Sequence, residues 1–245
     1  MRNIKITVEY NGSLFSGWQK QKGKRTVQQE LENAFFVLTN EKVSVEGSGR
    51  TDKGVHALWQ VATVQLENKM PLANMKYALN NLLPGDIVVK KVENAPADFH
   101  ARFSAKEKTY RYVVLVGGEK SAIENALVGY YPYEVNLEKM KSVSRFLVGK
   151  HNFKGFCSAN TQVSNFEREI YAIDISKKGR RVVFEVTGNG FLYNMVRIIV
   201  GTLLEVGAER IDEERVKKAL QTGERKYAGK TMQPNGLYLK KVLYK

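Results

Sequence analysis

The order of strand-like and helix-like patterns constrains this chain more than any other feature. "NIKITVEY" (3–10) alternates apolar and polar residues, the period-two signature of a half-buried strand. Thr26 then opens a helix, with Gln29 three residues on as a capping box requires. Val27, Leu31, Ala34, Phe35 and Leu38 form its apolar stripe. "ALWQVATVQL" (57–66) reads as a strand, with a shorter one just before the glycines. Met75, Ala78, Leu79 and Leu82 mark a second helix, stopped by Pro84-Gly85, and "DIVVKKV" closes the set as a strand. The order then recurs. "KTYRYVVLV" (108–116) is a strand, and Leu137, Met140, Val143 and Leu147 stripe a helix over 136–148 that Gly149 ends. "EIYAIDIS" and "RRVVFEV" form a hairpin around Lys178-Gly179, residues 191–206 form a helix, and "GLYLKKVLY" is a final strand. One extra helix, capped by Asp212 and running to about Leu220, precedes that strand.

Each half is therefore strand, helix, strand, strand, helix, strand. That is the split-βαβ order of a ferredoxin-like unit, and it predicts an α+β protein with antiparallel sheets and helices on their outer faces. The halves are 1–104 and 105–245, with the boundary near Phe103-Ser104. No Pro- or Ser-rich linker separates them, so they are expected to pack tightly. A chain of 245 residues with 43% hydrophobic content can bury two cores of this size.

Charge narrows the partners. The chain carries 39 Lys+Arg against 25 Asp+Glu, a formal net charge of +14. Such an excess suits a polyanion, nucleic acid before an anionic membrane. No apolar leader follows Met1, and no segment approaches the ~20 apolar residues that span a bilayer. The most apolar helix candidate has Arg197 in its middle. Cys157 is the only cysteine, so no intrachain disulfide forms and a reducing, cytoplasmic setting fits. His56, His100 and His151 lie far apart, without a second ligand at metal spacing, so no metal site is expected.

Three places invite a phosphate or RNA reading and fail it. "GERKYAGKT" (223–231) has five residues between its glycines where a P-loop has four, and it follows a helix. "KGF" (154–156) begins like an RNA-stacking strand, but Cys157, Ser158 and Ala159 break the motif, so Phe153 and Phe156 are expected in core or loop packing. Gly47-Ser48-Gly49 has Asp52 where a dinucleotide fingerprint needs a third glycine.

"GSGRTDKGVHA" (47–57) is the stretch that carries chemistry. Asp52 followed by Lys53-Gly54 is ordinary turn material. With Arg50 two residues earlier, it can also be an ionised carboxylate acting as base or nucleophile. Arg197 lies in "FLYNMVRIIVGTLL", where a buried guanidinium needs a partner and an acid is expected to supply it, though any of 25 acids is available. Tyr110 and Tyr112 share one strand face, either as sheet packing or as a ring on which a nucleobase stacks.

"GSGRTDKGVHA" closely resembles the catalytic signature of the tRNA pseudouridine synthases of the TruA family. The resemblance extends through "FSGWQKQ…TVQQELE" (15–32), "FHARFSAKEKTYRY" (99–112), "GNGFLYNMVRIIVGTL" (188–203) and "GLYL" (236–239). It implies two ferredoxin-like halves around a central basic cleft, no cofactor, and a homodimer with tRNA lying across both subunits. It implies isomerisation of uridine at positions 38, 39 and 40 of the anticodon stem-loop. By the same resemblance, Asp52 attacks the target uridine, Arg50 helps displace the base, Tyr110 stacks on the uracil, Arg197 pairs with Asp52, and Leu237 lines the pocket. The chain departs from the pattern in lacking a tryptophan within 124–140 and in the approach "AGKTMQPNGLYL" (228–239). Two rivals are a paralogous synthase acting on ribosomal RNA and a non-catalytic RNA-binding module. The latter leaves Asp52 unexplained, because an acid weakens phosphate binding.

RNA affinity is expected to fall steeply with salt and to depend little on base identity. Each phosphate contact contributes roughly −0.7 to −0.9 to the log–log slope. Filter binding between low and physiological salt measures it, and a flat slope contradicts the expectation.

Overall fold

The computed structural model describes residues 1–158 and 163–244. Ala159, which figures in the broken RNA-stacking motif, lies outside them. The chain divides into two compact units, Met1–Lys106 with Tyr238–Lys245, and Glu107–Leu237.

The first unit contains β1 (Arg2–Tyr10), α1 (Val27–Thr39), β2 (Glu46–Gly47), β3 (His56–Leu66), α2 (Leu72–Leu82) and β4 (Ile87–Ala95). β1 pairs antiparallel with both β3 and β4, and β2 pairs antiparallel with β3. Ile4, Ile6 and Val8 of β1 are fully buried, as are Leu31 and Phe35 of α1 and Met75 and Leu79 of α2. The α2 stripe differs from the expected one at its end. Leu82 is 43% exposed, and Leu83 is buried in its stead, because a 75-79-83 spacing keeps to one helix face. The expected capping box forms by half. Thr26 Oγ1 accepts from the Gln29 N–H at 3.4 Å, but the Gln29 side chain turns outward to Asn33 Oδ1 at 2.8 Å.

The sequence reading places the boundary at 104/105 and the last strand in the second half. The observed units change at 106/107, and residues 238–245 fall in the first. β10 (Leu237–Leu243) pairs parallel with β3 through Tyr238↔His56 and Leu239↔Ala57. Leu239 and Val242 are buried there, the Tyr238 ring stacks on His56 at 4.7 Å, and the Tyr244 hydroxyl donates to the Ala101 carbonyl at 2.7 Å.

The second unit contains β5 (Glu107–Val116), β6 (Gly129–Tyr131), α3 (Leu137–Ser144), β7 (Gly149–Asn152), β8 (Glu167–Lys178), β9 (Arg181–Gly188), α4 (Met195–Gly207) and α5 (Glu213–Thr222). β5 pairs antiparallel with β9, β9 with β8, and β8 with β7, while β6 joins β5 in parallel. The hairpin at Lys178-Gly179 is present, with Gly179 at φ 56°. β6 and β7 are too short to show a period in sequence. α3 is shorter than expected and ends in a 3-10 turn over Arg145–Leu147. α4 begins four residues later than expected and is buried on nearly every side. Asp212 caps α5 by accepting from the Arg215 N–H at 2.8 Å.

The decoys resolve as packing. Phe153 and Phe156 are fully buried beside a 3-10 turn. Gly229 lies against α4, its N–H donating to Thr202 Oγ1 at 2.8 Å, and a methyl there would sit 2.6 Å from the Thr202 Cα. Among the described residues, no helix is long and apolar enough to cross a membrane.

The two ends of α2 separate core from surface. Leu79→Ala is expected to cost about 2–5 kcal/mol. Leu82→Ala is expected to stay within about 0.5 kcal/mol. Urea denaturation of the two variants checks the assignment.

Candidate active site

Asp52 is presented by a loop that a second loop holds from beneath. After β3's partner β2, the chain enters Ser48, which is fully buried and bonded through its hydroxyl to Gln60 Oε1 at 2.7 Å. Its N–H donates to the Val61 carbonyl at 2.7 Å, and Gln60 Nε2 donates to the Gly49 carbonyl at 3.0 Å. Arg50 is exposed and Thr51 buried. The Thr51 hydroxyl bonds the Tyr10 hydroxyl at 2.7 Å, deep against the end of β1. Burial pushes the Tyr10 hydroxyl well above its usual pKa, with Thr51 and Gln60 pulling part of the way back, so Tyr10 stays neutral and holds its bond across physiological pH.

Asp52 itself is half-buried. Its carbonyl accepts from the Val55 N–H at 3.1 Å, and Gly54 has φ 80°, the value the third residue of a type II turn needs. The turn reading of Asp52 is thus correct for its backbone. A turn closed by backbone groups does not call on the carboxylate.

The supporting loop is residues 11–20. The Trp18 N–H donates to the Thr51 carbonyl at 3.0 Å. Gly17, at φ 99°, lies so close that a Cβ would stand 2.6 Å from that carbonyl oxygen and 3.2 Å from the Asp52 carbonyl carbon. A Cβ on Gly12 would overlap the Val55 carbonyl oxygen outright. The Gly12 N–H donates to His56 Nδ1 at 3.0 Å, which places the ring proton on Nε2 and gives this buried histidine a structural duty. α1 ties down the far end of the supporting loop. Gln28 Oε1 accepts from the Lys20 N–H at 2.9 Å and from Gln19 Nε2 at 2.8 Å, and Glu32 accepts from Gln28 Nε2 at 3.0 Å and from Lys20 Nζ at 2.8 Å.

The basic loop of residues 20–25 is partly structural. Arg25 forms a two-pronged pair with Asp86 at 2.7 and 2.9 Å, reaches Glu30 at 3.0 Å, and lies 4.2 Å over the Phe15 ring. Its hydrogen bonds to Asp86, more than any other cause, hold its pKa up. Lys22 and Lys24 are exposed members of that loop.

The second unit carries Tyr110, Arg197 and Leu237. Tyr110, on β5, is 9% exposed and meets Phe191 edge-on at 5.2 Å. Tyr112 is fully buried, its hydroxyl donating to the Gln233 carbonyl at 2.7 Å, and it is a packing residue. Burial raises the Tyr112 pKa, with the Arg197 charge partly opposing. Leu237 is buried at the start of β10. Arg197 is half-buried, less enclosed than its apolar helix suggests. Its Nε donates to the Met232 carbonyl and its Nη1 to Asn194 Oδ1, each at 2.6 Å, so neutral acceptors take two of its N–H groups. Asn194 and Met232 carry no such signal in the sequence, because one is a cap residue and the other contributes only its backbone. Among the described residues, no cluster of His, Cys, Asp and Glu could hold a metal ion.

The family model described as tRNA pseudouridine synthase matches residues 6–104 and 143–245. The chain belongs to this family. As a member it is a pseudouridine synthase, an isomerase of uridine in RNA. It is 46% identical over 245 residues to "tRNA pseudouridine synthase A" of Anoxybacillus flavithermus, covering 100% of this chain and 99% of the relative. It is 42% identical over 244 residues to the protein of the same name from Caldicellulosiruptor bescii, covering 100% of both chains. It is 44% identical over 243 residues to that of Bacillus subtilis, covering 98% of each. Arg50, Asp52, Arg197 and Leu237 lie inside the stretches matched to the family, and Tyr110 lies between them.

The close approach at Gly17 generates a direct test. Gly17→Ala combines a disfavoured φ with an overlap against the Thr51 carbonyl, and is expected to cost about 1–3 kcal/mol. Gly85→Ala, where nothing lies within 4 Å of the new methyl, serves as control. Urea melts with parallel turnover assays should show stability and activity falling together for the first variant only.

Proposed function

We propose that this chain converts uridine to pseudouridine in the anticodon stem-loop of tRNA, at positions 38, 39 and 40, as a cytoplasmic homodimer that uses no cofactor. The observation that carries the reading is the setting of Asp52. A carboxylate is placed on a turn whose backbone is fixed from β1, β3 and the 11–20 loop, in a protein of net charge +14.

The reaction breaks the N1–C1′ glycosidic bond, turns the uracil, and joins C5 to C1′. The C5 proton is lost and N1 gains one, so the product is an isomer and no redox partner is needed. The target base leaves its stack before a carboxylate can reach it. Asp52 supplies that carboxylate. Attack on C1′, attack on C6, and removal of the C2′ proton all require its ionised form. Arg50, exposed beside it, takes the place of the displaced base. The Tyr110 ring stacks on the uracil, and its hydroxyl is positioned in this scheme to accept the C5 proton. Arg197 is the cation that keeps the Asp52 carboxylate ionised, and Leu237 supplies an apolar wall. Phosphate contacts set the position of the RNA, and its shape offers the uridine.

Asp52→Asn is the deciding variant. Asparagine suits the first position of a turn as well as aspartate does, so the loop should persist. RNA affinity should be unchanged or slightly tighter, because a negative charge has gone. Release of tritium from [5-³H]uridine-labelled tRNA should stop, because an amide neither attacks carbon nor takes a proton. Tyr110→Phe should keep affinity and slow turnover, whereas Tyr110→Leu should lose both. Substantial turnover by the Asp52→Asn variant would move the chemistry to another residue. Mapping pseudouridines in RNA from a deletion strain would tell transfer RNA from ribosomal targets.

A further inference from the structure

Asn194 stands at the foot of α4 in a left-handed backbone state, φ 61° and ψ 5°. Asparagine tolerates that region better than most residues, but a regular cap residue is extended. A cap asparagine also ordinarily accepts from the second or third N–H of its helix. Asn194 makes no such bond. Its Oδ1 accepts instead from the Arg197 guanidinium Nη1 at 2.6 Å, and its Nδ2 donates to Ser158 Oγ at 2.8 Å. Arg197 is the third residue of the helix, so the oxygen has exchanged the backbone N–H of that residue for its side chain.

The second anchor of Arg197 is as firmly built. Nε donates to the Met232 carbonyl, and the Met232 N–H donates back to the Arg197 carbonyl at 3.2 Å. The segment carrying Met232 is fixed to α4 by the Gly229 N–H on Thr202. A guanidinium is planar and rigid, so directing both Nε and Nη1 fixes its plane. A lost cap and a left-handed backbone at one residue both serve that single geometric result, and such concentrated strain is characteristic of sites where position matters.

We infer that Asn194, anchored by Ser158, is a positioning residue that sets the plane of the Arg197 guanidinium for the reaction. The inference rests on the role proposed for Arg197 above. Ser158 and Asn194 act through the orientation of Arg197 and themselves touch no reacting atom.

Asn194→Gly isolates the side chain from the backbone, because glycine adopts the left-handed state freely. The expected result is a Tm held or raised, tRNA affinity and KM within about 2-fold of wild type, and kcat lowered about 10- to 100-fold, the scale of a misplaced group. Ser158→Ala should lower kcat in the same direction by less. In an Arg197→Lys background, which keeps charge but lacks the fork, Asn194→Gly should add less than about 2-fold. Wild-type kcat for Asn194→Gly would overturn the inference, as would a full further loss in the Lys background. A loss that merely tracks a falling Tm, and that Asn194→Asp does not repair although it keeps the acceptor oxygen, would assign a structural role and overturn it too. Arg197→Lys and Arg197→Met with wild-type kcat would instead defeat the role given to Arg197, a failure distinguishable from the first.

Discussion

The contact on which the site depends is the backbone approach of the 11–18 loop to residues 51–55. The Trp18 N–H donates to the Thr51 carbonyl, and Gly12 and Gly17 let two chains pass at distances no Cβ permits. Such proximity is stable only if both chains are fixed from outside. Gln28 and Glu32 of α1 fix one, and Tyr10, Gln60 and Val61 fix the other. The motif residues that look scattered in sequence therefore form one mechanical assembly whose output is the placement of Asp52. Its buried polar groups are tied into one another, which gives the loop one geometry rather than several.

How much of this the sequence disclosed depends on the kind of signal each residue leaves. β1, β3, β5 and the β8–β9 hairpin are long enough to show a period, and their residues were legible. β6 and β7, with three and four residues, leave none. The start of α4 was misplaced because Phe191 and Leu192 continue the apolar run of the helix although Asn194 breaks the backbone before Met195. Asp52 was legible as a residue but ambiguous as a role. Its backbone makes a turn, and the role proposed for its side chain is a second function that local composition does not separate from the first. Asn194 and Met232 were not legible at all, because a cap asparagine looks like any other and a carbonyl acceptor has no residue-type signature.

The final strand shows a different limit. Period and order place "GLYLKKVLY" at the end of the second half, where a split-βαβ count needs it. Its residues from Tyr238 on belong to the first unit, held by pairing with His56 and Ala57 and by the Tyr244 bond to Ala101. Counting elements gives their number but not the pairing, because pairing follows from which side chains the strand can bury. Leu237 and Leu239 are buried in alternation with Tyr238 and Lys240, whereas Val242, three residues on from Leu239, is buried out of that period.

A net charge of +14 does not by itself say where phosphates sit. Part of the cationic inventory is engaged by groups of the fold itself. Arg25 holds Asp86 and Glu30, Arg111 reaches Glu185 at 2.8 Å, Lys20 reaches the buried Glu32, and Arg180 serves the carbonyls of Val116 and Gly117. Arginine predominates in these pairs because a planar fork satisfies a carboxylate or two carbonyls at once. Lys22 and Lys24 of the supporting loop and Lys53 of the Asp52 turn are by contrast exposed. Lysine suits that position, since a compact charge on a flexible stem meets a phosphate at low geometric demand. Positive charge placed on the turn and on the loop that holds it also raises the local concentration of a polyanion around the carboxylate. The same arrangement offsets the repulsion that Asp52 alone would exert on a polyanion, so an acid on this loop is compatible with a phosphate close by.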